Sequence, residues 1–258
     1  RVPVEASGEV FLMNTLTDAQ LLVSPDVAAL LDRYPEASDL EGLAPERRDA
    51  ALGAIELLRE NGFLVPSRDH DRRQLDRYLT EVKSDTSELN ITVLTTLQCN
   101  FACDYCFQGD HGDYNKFADK MSLDTAVRIA TWVEGEMDRI HPETLMVTFF
   151  GGEPLLNLPV MYYLAERLWL KQTITIITNG LLLTEDIVDR MRPYGLRGVK
   201  ITLDGDRDAH NRLRPLRGGQ GTFDRIIENI RRVASKTRIS IGGNFDESSV
   251  DSYPALLD

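Results

Sequence analysis

Between Asn90 and Asn244, apolar runs of strand length alternate five times with amphipathic segments of helical period, and no other feature restricts the fold of this chain as much. The runs are "NITVLTT", "TLMVTFF", "TITIIT", "GVKITLDG" and "RISIGGN". Nearly continuous apolar strands separated by helices read as parallel strands covered by those helices, so the pattern predicts an α/β chain that winds into a barrel or partial barrel. Ser122 caps a segment that sets Ala126, Ile129, Ala130, Val133, Met137 and Ile140 on one helical face. "PVMYYLAERLW" follows the second strand, Thr184 caps "TEDIVDRMRPYG", and Thr222 opens a helix with Ile226, Ile227, Ile230 and Val233 inward. One connection departs from the pattern. Only "WLKQ" joins a helix to the third strand, with no glycine cap, and the expectation is that residues are absent there.

Residues 1–75 read as a separate, small α+β module. "EVFLMNTLTDAQLLVS" predicts two short strands around a polar turn, and Ser24 with Pro25 opens a helix in "SPDVAALLDRY". "APERRDAALGAIELLRENGFLVP" predicts a second helix with Ala51, Ile55 and Leu58 on one face and Gly62 at its C-terminal end. The order suggests a winged-helix-like unit, followed by a polar linker with some helical content over 76–89 and a barrel domain over 90–258. The chain starts at Arg1 and stops as a further helix begins, so the barrel domain is expected to be incomplete.

The residues with chemistry to offer fall after the strands. The three cysteines, Cys99, Cys103 and Cys106, follow the first; "GGEP" (Gly151 to Pro154) follows the second, "TNG" (Thr178 to Gly180) the third, "LDGD" (Leu203 to Asp206) the fourth and "GGNFD" (Gly242 to Asp246) the fifth. Active sites of β/α barrels are built on that face. Each placement alone is compatible with an ordinary turn; five coincident ones point to a site. Thiolates at Cys99-x3-Cys103-x2-Cys106 can converge on a soft metal centre. Three are one fewer than most iron-sulfur clusters use, which on a [4Fe-4S] cube leaves one iron free for a small molecule. A zinc site remains the alternative: Cys103, Cys106 and His111 repeat part of a zinc knuckle whose last cysteine falls at Lys116, and Cys99 would complete a Cys3His set.

Composition excludes other classes. A formal net charge of −12 over 258 residues disfavours a nucleic-acid backbone as the main partner, because phosphate binding relies on a basic face. No apolar run approaches the roughly 20 residues needed to span a bilayer, and no signal-like segment opens the chain, so it reads as cytoplasmic, without a membrane partner.

The pattern Cys-x3-Cys-x-Tyr-Cys, with Tyr105 before the last cysteine, resembles the signature loop of the radical S-adenosylmethionine (SAM) enzymes. "FFGGEPLL" resembles their GGE motif, "IITNG" their third-strand segment, and "ITLDGDRDAHNRLRPLRGGQGTF" is similar to the corresponding stretch of the SPASM/twitch branch that modifies peptides, with Thr202 where serine is usual. The resemblance covers about Asn90 to Asp246. It implies a partial (β/α)6 barrel of TIM type, a [4Fe-4S] cluster on Cys99, Cys103 and Cys106, and reductive cleavage of SAM to a 5'-deoxyadenosyl radical that abstracts hydrogen from a substrate. It also implies roles. Gly151 and Gly152 let backbone approach the methionyl part, Glu153 accepts from its ammonium, Asn179 and Thr202 offer hydrogen bonds to ribose or carboxylate, and Thr178 belongs to the cofactor site. Arg214 pairs with the carboxylate and Tyr105 packs on the adenine. Asp204 either meets the cofactor or orients its own turn, Asn244 either lines the pocket or caps the fifth strand, and His210 is either functional or packing.

The first module resembles the PqqD-like element that holds leader peptides. Together these likenesses imply an oxidoreductase that matures a ribosomally made (RiPP) precursor peptide or a protein, for example by a thioether, carbon–carbon or ether cross-link, with flavodoxin or ferredoxin as electron donor. Auxiliary clusters would belong to a C-terminal region outside this sequence. The alternatives are an enzyme like the anaerobic sulfatase maturases, a small-molecule radical SAM enzyme, and a zinc-stabilised protein without catalysis.

Overall fold

The computed structural model describes every residue except 33–39, 41–43, 109–117, 170–171 and 258. The chain divides into two compact units, Arg1–Asp85 and Thr86–Asp258.

In the first unit β1 (Val2–Val4), β2 (Glu9–Met13) and β3 (Gln20–Val23) form an antiparallel sheet in that order. β1 is an addition to the two strands read from sequence; it pairs Val2 with Phe11 and Val4 with Glu9. Ser24 accepts from the Val27 N–H and caps α1 (Pro25–Ala29); Arg33 and Tyr34, expected to extend it, lie outside the described residues. α2 (Pro45–Glu60) buries Ile55 and Leu58, and Leu58 packs with Leu12, Val23 and Ala28. Gly62 follows it at φ +73, a conformation a side chain would strain. The segment expected as a linker with helical content is one continuous helix, α3 (Arg68–Ser84), capped by Ser67 and with no buried residue.

The second unit carries β4 (Glu88–Thr96), β5 (Thr144–Gly151), β6 (Gln172–Thr178), β7 (Leu196–Thr202) and β8 (Arg238–Gly242) as one parallel sheet in sequence order. Right-handed crossovers between neighbours taken always in the same direction put every helix on one face, as in a barrel. The described residues hold five such strands, the five read from the sequence. α4 (Leu123–Ile140), α5 (Leu158–Arg167), α6 (Glu185–Met191) and α8 (Phe223–Val233) cover the sheet; α7 (Arg207–Leu213) and a final turn, α9 (Tyr253–Leu257), complete the unit. Ala126, Val133, Met161, Leu164, Val188 and Ile226 interlock with Leu145, Val147, Phe149, Ile176 and Ile201 in one core.

The opposite face of the sheet is open and partly polar. Across it Thr92, Thr148 and Thr175 stand in one register row. Nearer the strand ends Leu94 pairs with Phe150, and Ile177 with Lys200.

Side-chain chemistry adds two details to the elements read from sequence. α8 begins at Thr222 as read, but the Thr222 hydroxyl donates to the Arg214 carbonyl at 2.9 Å and makes no cap bond; Asn211 Oδ1 instead accepts from the N–H groups of Thr222 and Phe223, at 2.7 and 3.0 Å. In the "WLKQ" connection, Leu170 and Lys171 lie outside the described residues. Buried Gln172 donates to the carbonyls of Ala165 and Tyr194, satisfying a helix-end group that a glycine cap would otherwise leave to the backbone.

Candidate functional site: a cysteine-lined cavity at the strand ends

A cavity of about 530 Å3 opens at the C-terminal ends of β4 to β8. All three cysteines line it: Cys103 is buried and the other two are half-buried. Burial pushes the Cys99 thiol up to about 11 and raises that of Cys103. Both therefore favour the protonated form until a metal displaces the proton.

The loop that carries them is fixed from several sides. Gly152 N–H donates to the Thr96 carbonyl at 2.9 Å and Glu153 N–H to the Gln98 carbonyl at 2.8 Å. Ala102 N–H bonds the Pro215 carbonyl at 2.9 Å, and Arg217 Nε reaches the Cys99 carbonyl at 2.9 Å. The close approach requires glycine. A Cβ on Gly151, at φ +137, would sit 2.2 Å from Thr96 O; one on Gly152 would sit 2.3 Å from Gln98 O and 2.5 Å from Leu97 O. The two glycines thus make room for the backbone of the cysteine loop, besides lining the cavity.

Of the ten residues expected around the cofactor, eight line the cavity and two do not. Glu153 is fully buried behind the wall. Its carboxylate accepts from Thr178 Oγ1 (2.7 Å), Asn179 N–H (2.9 Å) and Leu155 N–H (3.0 Å), locking the ends of β5 and β6 together. Burial raises its pKa, with those donors opposing. Asp204, also fully buried, joins four parts of the site. It accepts from the Tyr105 hydroxyl, from Arg214 at 3.5 Å and from Asn244 N–H at 2.8 Å, while its own N–H donates to His210 Nδ1 at 3.2 Å. Both carboxylates are spent on loop geometry because a buried carboxylate must be saturated with donors.

The remaining residues divide by what they leave free. Asn179 is engaged, with Nδ2 on Asn100 Oδ1 at 2.8 Å and Oδ1 accepting from Leu181 N–H at 3.1 Å. The Tyr105 hydroxyl is held by Asp204, by Arg214 Nη1 and by Asn244 Nδ2 at 3.3 Å, which leaves its ring to line the cavity. Arg214 keeps a buried Nε with no partner. The Thr202 hydroxyl makes no hydrogen bond among the described residues. An orphaned guanidinium N–H, a free hydroxyl and three thiols around one cavity are the donor types for a polar organic cofactor beside a soft metal centre, although the thiols as placed do not form a three-ligand metal group among the described residues.

The radical SAM superfamily profile matches residues 93–243, more than half of the sequence. The chain belongs to the radical SAM superfamily. Its cofactors are accordingly a [4Fe-4S] cluster and S-adenosylmethionine. This radical SAM chain is 26% identical over 190 residues to the radical SAM cyclopropyl synthase TigE of Paramaledivibacter caminithermalis, covering 61% of this chain and 39% of that protein. It is 32% identical over 146 residues to the GTP 3',8-cyclase of Synechococcus sp. strain WH7803, covering 52% and 39%. It thus spans about two fifths of the length of these relatives. Among solved structures, native anSMEcpe with bound AdoMet aligns at a TM-score of 0.52 and 23% identity, over 60% of this chain and 43% of that one. Streptococcus suis SuiB aligns at 0.50 and 15% identity, over 100% and 59%. These likenesses establish a shared fold.

Sequence reasoning missed four contributors. Asn157 ties the Thr95 and Met121 carbonyls at 2.7 and 3.0 Å, Arg217 holds the cysteine loop, Thr222 braces Arg214, and Lys200 lines the cavity. The two-residue step from Lys200 to Thr202 was the one available signal, since it puts both on one strand face. His210, left open from sequence, is fully buried. Its Nδ1 accepts from Asp204 N–H and its Nε2 faces Thr222 Oγ1 at 3.1 Å, the pattern of a neutral imidazole. No described helix is long and apolar enough to cross a membrane.

Proposed function

We propose that this radical SAM enzyme abstracts hydrogen from a residue of a ribosomally made precursor peptide or protein, installing a modification such as a thioether, carbon–carbon or ether cross-link. The observation that carries the reading is the convergence of all three cysteines, Thr202 and Arg214 on one cavity at the strand ends. Cys99, Cys103 and Cys106 would hold the cluster. The Arg214 Nε and the Thr202 hydroxyl are the free donors for the cofactor's carboxylate and ribose, and the Tyr105 ring is the surface for its adenine. When bound, the cluster and SAM supply a 5'-deoxyadenosyl radical by one-electron cleavage, for which a flavodoxin or ferredoxin is the proposed donor. The protein's own part is to hold that chemistry in a fixed pocket at the strand ends.

Two features support a peptide substrate. Phe107, on the cavity wall, is 83% exposed, and Phe245, beside the lining Asn244, is 68% exposed, so the site presents apolar surface to a chain-like partner. The anSMEcpe structure with AdoMet and the Cp18Cys peptide shares the fold, at a TM-score of 0.51 and 22% identity. The first unit, with β1 and β3 at its sheet edges, is proposed to hold a leader segment by strand addition, as a PqqD-like element would.

The test is anaerobic reconstitution, reduction, and measurement of 5'-deoxyadenosine with and without a short precursor peptide encoded beside this protein. Peptide-stimulated turnover with a matching mass change in the peptide is expected. Stimulation by GTP and not by any peptide would favour the small-molecule reading, to which the cyclase relative points.

A further inference from the structure

Two cations line the cavity, Arg214 and Lys200. Arg214 is committed in part, its Nη1 serving Tyr105 and Asp204 while its Nε has no partner. The Lys200 ammonium, by contrast, makes no ion pair or hydrogen bond among the described residues. Its position follows from register. Lys200 and Thr202 are two apart in β7 and share its inner face, while β8 sets Ser240 opposite Lys200 and Gly242 opposite Thr202. A Cβ on Gly242 would lie 2.8 Å from Lys200 Cε and 3.7 Å from its Nζ. The lysine side chain therefore climbs one layer toward the strand ends and brings its ammonium beside the Thr202–Gly242 pair, through space left open because Gly242 has no side chain.

We infer that Lys200 receives a carboxylate inside this cavity. An ammonium on a flexible stem is a point charge that suits a single anionic group. Two groups of that chemistry are candidates: the methionyl carboxylate of the cofactor, shared with the Arg214 Nε, and an acidic side chain of the substrate. The inference rests on the reading that cofactor and substrate meet here.

The experiment uses the full chain, reconstituted anaerobically, as wild type, Lys200→Met, Lys200→Arg and Gly242→Ala, with iron and sulfide content confirming the loaded fold. Equilibrium dialysis measures affinity for SAM and for decarboxylated SAM, and then, on SAM-loaded protein, for N-acetylglutamate amide against N-acetylglutamine amide. If the carboxylate is the cofactor's, Lys200→Met binds SAM about 10-fold more weakly or worse, while decarboxylated SAM binds both proteins alike. If it is the substrate's, SAM binding is unchanged, and wild type prefers the glutamate probe by about 10-fold, a preference that Lys200→Met abolishes. In either case Lys200→Arg restores part of the effect and Gly242→Ala, whose methyl displaces Cε, shows an intermediate loss. A Lys200→Met protein that matches wild type in both assays overturns the inference. Iron-loaded wild type that binds no SAM would overturn the cavity reading itself, and this inference with it.

Discussion

The hydroxyl of Tyr105 donates to the fully buried carboxylate of Asp204, 99 residues further along the chain. This bond ties the cysteine loop to the end of β7, and Arg214 and Asn244 extend it to α7 and β8. Asp204→Asn removes the charge that balances Arg214, whose side chain is only 11% exposed. Loss of one partner of a buried pair costs about 3 kcal/mol or more. We expect a clear fall in the thermal midpoint together with weaker SAM binding. Tyr105→Phe, which leaves Asp204 and Arg214 facing each other, should cost less in the same melting experiment.

Replacing any one of Cys99, Cys103 or Cys106 by alanine should abolish cluster assembly. The readouts are iron and acid-labile sulfide per chain after anaerobic reconstitution, and 5'-deoxyadenosine after reduction. Full iron loading of any of the three variants would refute the ligand assignment.

Gly152→Ala should displace the cysteine loop without unfolding the barrel. Its methyl would meet two backbone carbonyls, which cannot swing aside as a side chain could. Overpacking of this kind costs about 1–3 kcal/mol. We expect the variant to fold, by circular dichroism, and to incorporate much less iron than wild type.

Glu153→Gln places an amide NH2 among donors from Thr178, Asn179 and Leu155. At least one backbone N–H then loses its acceptor in a buried setting, at about 1–3 kcal/mol. Chemical denaturation should show a lower midpoint with an unchanged slope, since compactness is not altered.

Burial lowers the pKa of His210 to about 4, from 6.5 in a free chain. Between these values the unfolded chain binds a proton that the folded one refuses, so stability falls as the pH drops from about 6.5 toward 4. The full shift corresponds to about 3 kcal/mol. In melts across that range, His210→Gln should start less stable than wild type near pH 7 and show a shallower dependence on acid. An equally steep dependence in the variant would assign the acid sensitivity to other groups.

The alternation of strands and helices was legible because each element declares itself locally. Ser122 and Thr184 cap their helices as read, and the motif residues do stand at strand ends. The exceptions have separate causes. Thr222 has the right identity for a cap, but its hydroxyl is claimed by Arg214 O, a competitor visible only once α7 has folded beside α8. α3 reads as a polar linker since it buries nothing, and burial is what makes a helix conspicuous in sequence.

The sequence by itself determined the parallel α/β order, the placement of the three cysteines after the first barrel strand, and the glycines without which the loops could not touch. These depend on neighbours along the chain and on short-range sterics. Only the tertiary structure decided that Glu153 and Asp204 brace the cavity from behind, that Arg214 is half spent on Tyr105, and that Lys200 stands unpaired beside Thr202. Those roles depend on which hydrogen bonds are already taken and on the register between strands, and both are set when distant segments pack.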